Sequence, residues 1–115
     1  MKIKVPTEIQ IGCHKFGVFL KDKTIPEDDG NINYLLQDVK VRDNLPTSRK
    51  NVTFLHEGLH LINIIFSCDL REETVEKLSE GLGQLLFSNM DIELDWSGIP
   101  TKTAVIKEEK EDKHD

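Results

Sequence analysis

The chain reads as an α+β domain, an N-terminal antiparallel β-meander of about three strands packed on two long helices. Three observations predict it. In the first half of the sequence, apolar and polar residues alternate with period 2, the pattern of a half-buried strand. In the second half, apolar residues recur every three or four positions, the stripe of an amphipathic helix. The length, 115 residues, suits one domain with one modest core. Residues 1–100 are taken as that domain and 101–115 as a charged, disordered tail.

Lys2, Ile3, Lys4 and Val5 alternate until Pro6 interrupts. Ile9 and Ile11 alternate with Glu8 and Gln10, and Phe16, Val18 and Leu20 resume the pattern after a break near Gly12. A hairpin over residues 8–13 and 16–21 follows. Residues 22–33 hold Pro26, Asp28, Asp29, Gly30 and two asparagines, which predicts a loop. A third strand is expected from about residue 35 to 42, through Leu36, Val39 and Val41.

Helical spacing begins after Pro46, where Thr47 or Ser48 could cap free backbone N–H groups. Val52, Leu55, Leu59, Ile62 and Phe66 form one apolar face over about residues 48–67. A second helix is predicted from Arg71 or Glu72 to Asn89, with Val75, Leu78, Leu82, Leu85 and Leu86 as its apolar positions. Glu72 and Glu73 fall in its first turn, where the helix dipole favours negative charge. Trp96 reads as a packing anchor for the C-terminal segment. His114 belongs to the charged run that starts at Lys107 and is assigned no function.

Composition narrows the function classes. Apolar residues make up 37% and charged residues 31%, values that suit a folded soluble protein. A net charge of −6 argues against non-specific nucleic-acid binding, which needs a cationic surface. The N-terminus lacks the apolar stretch of a signal peptide, and the longest apolar run, residues 61–66, is too short to span a bilayer. The expected compartment is the cytoplasm, with no membrane partner. Cys13 and Cys68 lie far apart with no CxxC motif, and read as reduced thiols. The small size leaves room for a homodimer, though no feature demands one.

One motif carries chemistry. His56, Glu57, Gly58, Leu59 and His60 spell H-E-x-x-H inside the predicted helix. Residues four apart share a helix face, so both imidazoles can meet one zinc ion. Glu57, rotated about 100° from His56, can approach a water on that ion without ligating it. A catalytic zinc site usually has a third protein ligand. Glu80 is the first choice and Glu76, one turn earlier, the second. Glu80 sits between Leu78 and Leu82 and beside Gly81 and Gly83, where small residues would let two helices approach. A carboxylate in an apolar seam needs a cation.

HEGLH followed after nineteen residues by Glu80, in Ser79-Glu80-Gly81-Leu82-Gly83-Gln84, resembles the gluzincin pattern of thermolysin-type zinc metallopeptidases. Strands leading into Phe54-Leu55-His56-Glu57-Gly58-Leu59-His60, then Glu73-Thr74-Val75-Glu76-Lys77-Leu78, also resemble small phage and prophage proteins related to the ImmA/IrrE family. The resemblance covers roughly residues 8–90. It implies a minimal zincin-like domain, a zinc cofactor and a protein or peptide substrate laid along a sheet edge, for which the strand near residues 36–42 is the candidate. It departs from the thermolysin type where an aspartate would orient a ligand histidine; Gln84 stands there. In that type an oxyanion-stabilising histidine comes from a larger C-terminal domain; within these residues His14, Tyr34 and Arg71 are the expected substitutes. Two functions follow. One is peptide hydrolysis with Glu57 as general base. The other is a zinc-binding, weakly active or inactive interaction module of phage or mobile-element origin, in which the metal supports the fold.

Overall fold

The computed structural model of the chain describes residues 1–21 and 28–102. It is α+β, a mixed sheet packed on two helices. Strands β1 (Lys2–Lys4), β2 (Glu8–Ile11), β3 (His14–Lys21), β4 (Gly30–Asn33) and β5 (Asp38–Arg42) precede helices α1 (Thr47–Ile65) and α2 (Glu72–Gly83). A π-helical segment (Gln84–Asn89) and strands β6 (Glu93–Asp95) and β7 (Thr101–Lys102) complete it. Among the described residues no helix is long and apolar enough to cross a membrane.

The predicted hairpin forms as β2 and β3, antiparallel, with Ile11 opposite His14 and Gly12 at φ +63° in the turn. Glycine adopts that left-handed geometry without strain. The rest of the sheet departs from a meander. Part of the expected loop, residues 30–33, is strand β4, although Asn and Gly are poor strand formers. β4 turns back onto β5, so β5 enters between β3 and β4 and lies parallel to β3, giving the order β2-β3-β5-β4. The third strand begins at Asp38 rather than near residue 35. Leu35 and Leu36 are exposed in the β4–β5 turn, where Gln37 takes φ +56°.

Two strands carry C-terminal residues back to the sheets. β6 pairs in parallel with β1, and β7 with the end of β3. Thr101 and Lys102, at the head of the expected tail, are therefore structural: the Lys102 ammonium meets the Asp38 carboxylate at 2.6 Å. The remainder of that tail, 103–115, lies outside the described residues.

Phe16, Val18, Leu20, Val39 and Val41 face α1 from the sheet and are buried. Against them α1 sets Phe54, Leu61 and Ile65. This face differs from the stripe read from the sequence, because α1 is flanked by the sheet and by α2. Val52, Leu55 and Leu59 are half-buried, and Ile62 and Phe66 are exposed. Gly83 lies against Val52, where a Cβ would come within 3.1 Å of a Val52 methyl; no atom crowds Gly81. The close helix approach inferred from the two glycines is therefore met at Gly83.

The ends of the helices also differ from expectation. α1 starts without a hydroxyl cap; the Pro46 carbonyl accepts from the Arg49 and Lys50 amides instead. α2 stops as an α-helix at Gly83, and wider turns carry the chain to Asn89, with the Met90 amide donating to the Leu85 carbonyl five residues back.

Trp96 anchors the C-terminal segment as expected. It is buried, its ring stands edge-on to Phe54 at 5.6 Å, and its indole N–H donates to Asn51 Oδ1 at 2.8 Å. Asn51→Ala strands that N–H in the core, which costs about 1–3 kcal/mol. Urea denaturation followed by the fluorescence of Trp96, the one tryptophan of the chain, measures the loss.

Candidate metal centre

The site is built on α1. Helical spacing places His56 and His60 one turn apart on the flank towards α2, with Nε2 atoms 3.1 Å apart. Glu72, the first residue of α2, reaches both: its oxygens lie 3.2 Å from His56 Nε2 and 2.9 Å from His60 Nε2. These three side chains could hold a metal ion. Two donors each about 2.0–2.1 Å from a tetrahedral zinc sit roughly 3.3 Å apart, so the spacing fits such an ion with little adjustment. Two neutral imidazoles and one carboxylate also form a donor set that zinc accepts.

The structure brings Glu72, not Glu80, to the imidazoles. Glu80 and Glu76 line the same groove but stay outside the donor group, Glu80 two turns beyond Glu72, or about 12 Å along the axis. The reason lies in the turn between the helices. In a symmetric hairpin the residues level with His60 and His56 would be Lys77 and Gly81, next to Glu76 and Glu80. Instead Asn63 clamps Leu70: the Leu70 amide donates to Asn63 Oδ1 at 2.9 Å, and Asn63 Nδ2 donates to the Leu70 carbonyl at 3.1 Å. Ser67 and Asp69, at φ +53° and +61°, turn the chain back for that clamp. Leu70 thus lies alongside α1, and α2 opens beside the histidines. Glu72 was hidden in sequence because its place at a helix start already explains a glutamate.

Glu57 projects from α1 towards the start of β4. It is 9% exposed and lines the groove. Burial, chiefly, pushes its carboxyl up from 4.5 to about 7; the charges of Glu72 and Asp28 add to this, and His56 and Lys21 oppose it. Gly30 makes room for it. A Cβ there would stand 2.7 Å from a Thr53 methyl and 3.2 Å from Glu57 Oε2, so only glycine lets β4 pass this close to α1. Lys21, buried at the end of β3, also feels Glu57; burial lowers its pKa and the Asp28 charge partly restores it. No local pattern singled out Lys21.

His56, Glu57, His60, Glu72 and Gly30 line an open groove of about 850 Å³ between α2 and the segment that leads into β4. The remaining candidates stand outside its lining. Tyr34 follows β4, edge-on to Phe16, and its phenol is pushed up by burial and then by the Glu57 charge. His14 opens β3 and is exposed. Arg71 precedes α2 and faces Glu73 at 3.6 Å. Gln84 opens the π-helical segment, is exposed, and is not held against either histidine. The strand proposed as a docking edge, β5, is paired on both sides; the edge beside the groove is β4.

Two outcomes follow. Asn63→Ala releases the start of α2, and affinity for a metal ion, read with zinc by competition with a chromophoric chelator, falls by about tenfold or more. The second concerns pH. In the metal-free protein the folded state holds the Glu57 proton up to about 7, whereas the unfolded chain releases it near 4.5. Stability from this group is therefore full below about 4.5 and is lost as pH rises through 7, by up to about 3 kcal/mol. Urea melts of chelator-treated wild type and Glu57→Gln, compared at both ends of that range, isolate the effect, because the variant lacks it.

No family model, no curated protein and no solved structure matches the chain, so its function rests on the geometry of this groove.

Proposed function

We propose that the chain is a minimal zincin-like zinc metallopeptidase in which His56, His60 and Glu72 hold the ion and Glu57 is the general base. The observation that carries this reading is the convergence of two imidazole nitrogens and a carboxylate beside a buried, proton-hungry glutamate. Zinc bound there supplies Lewis-acid polarisation of a carbonyl and makes water more acidic.

The protein's own residues do the rest. Glu57, with its proton affinity raised towards neutrality, takes a proton from water and passes it to the leaving amine. Gly30 keeps β4 close to that carboxylate, and β4, an edge strand among the described residues, offers backbone groups to an extended peptide. Among the oxyanion-stabilising candidates, Tyr34 lies within electrostatic reach of Glu57.

One observation favours the second reading, a metal-binding interaction module with weak or no turnover. Among the described residues that line the groove the one Lys or Arg is Arg49, and Asp29 engages it at 2.6 Å. A poorly stabilised oxyanion would leave binding intact and turnover slow.

Metal analysis and variants separate these readings. The purified protein holds one zinc per chain. His56→Ala, His60→Ala and Glu72→Gln lose it, while Glu80→Gln keeps it. Glu57→Gln keeps zinc and cuts peptide cleavage by about 100-fold or more. If Glu57→Gln leaves cleavage or phenotype unchanged, the interaction module is the correct reading; if the wild type binds no zinc, both fail.

A further inference from the structure

The groove is negative well beyond the metal centre. Glu72, Glu76 and Glu80 recur at four-residue steps, so they form one stripe along α2. All three line the groove, as do Asp28, Asp29 and Glu57. Several of these charges have other roles. Glu72 faces the histidines and Asp29 holds Arg49. Asp28, Glu76 and Glu80 have no Lys or Arg nitrogen at ion-pair distance among the described residues.

A row of exposed acids alone marks no site. Here a second feature points to a ligand. Glu57 lines the same groove at 9% exposure and makes no hydrogen bond among the described residues. A buried, unbonded carboxylate is costly and is relieved by a positive or hydrogen-bond-donating group beside it. Ser79, which could have softened the wall between Glu76 and Glu80, instead donates its hydroxyl to the Glu76 carbonyl at 2.9 Å. The wall therefore presents two carboxylates without a cationic partner among the described residues, about 6 and 12 Å along α2 from Glu72.

We propose that the peptide taken by this groove carries a lysine or arginine side chain, received by Glu76 and Glu80 on the α2 wall with Asp28 at the β4 side. This deepens, and rests on, the reading of the groove as a peptide-binding metal site. A positively charged side chain there meets two carboxylates at once along a concave groove, which concentrates their field. A neutral side chain gains nothing from this field, and an acidic one meets like charge.

The test uses the zinc-loaded full chain, labelled with ¹⁵N, and three blocked decapeptides in which alanine alternates with lysine, glutamine or glutamate. At about 0.1 M salt, where screening acts beyond about 10 Å, the lysine peptide binds about tenfold tighter than the glutamine peptide, and the glutamate peptide does not bind. Amide shifts concentrate at residues 28–30 and 72–83. Glu76→Gln/Glu80→Gln removes most of the preference. Removing two exposed charges elsewhere, with Glu8→Gln/Glu93→Gln, leaves the preference within about twofold, which separates the wall from net charge. Equal affinities for the lysine and glutamine peptides, an equal loss in both double variants, or no binding at all overturns the proposal. Repeating the titration without zinc keeps the two readings apart: absence of metal binding sinks the metal reading, while the lysine preference is still decided by the peptides.

Discussion

Asn63 grips Leu70 through both ends of its side-chain amide, and the geometry of the site follows from that grip. A helix pair joined by a short connection normally runs level from its turn. Here the chain curls back through two left-handed residues, Ser67 and Asp69, and lies alongside α1 before α2 begins. The first residue of α2 therefore meets His56 and His60 directly. Both ends of the amide are used, so loss of Asn63 leaves the Leu70 N–H and carbonyl unpaired in a half-buried place, a cost that helps confine the turn to one arrangement.

The second constraint is the close passage of β4 over α1. Gly30 stands where any side chain would strike Thr53 and crowd Glu57. That closeness excludes water from one side of Glu57 and raises its proton affinity. The same strand is an edge of the sheet among the described residues. One glycine thus links a packing requirement, an electrostatic shift and an edge available to an extended chain. Polar residues buried on the sheet side of α1, among them Asn51 and Glu57, show that this face is shaped by specific contacts as well as by apolar burial.

Much of the fold was legible in the residues. The β2–β3 hairpin, the two helices and the anchoring role of Trp96 all follow from period, turn chemistry and the placement of a single large aromatic. Other parts were not. β4 is made of Gly, Asn, Ile and Asn, in which one Ile stands among three poor strand formers; it is a strand because β5 offers it a partner. The parallel pairing of β3 with β5, and the return of β6 and β7, come from contacts between distant segments that no local window contains.

The site divides along the same line. Sequence alone determined His56, Glu57 and His60, because helical periodicity places residues four apart on one flank and rotates the intervening glutamate away. It also determined that the second helix would bear the carboxylates. Which carboxylate turns to the histidines was decided only in three dimensions. Glu72, Glu76 and Glu80 occupy equivalent positions on one stripe, and their chemistry is identical. The choice among them depends on how far α2 slides along α1, and that distance is set by a seven-residue reach from Asn63 to Leu70 rather than by the residues of the stripe themselves.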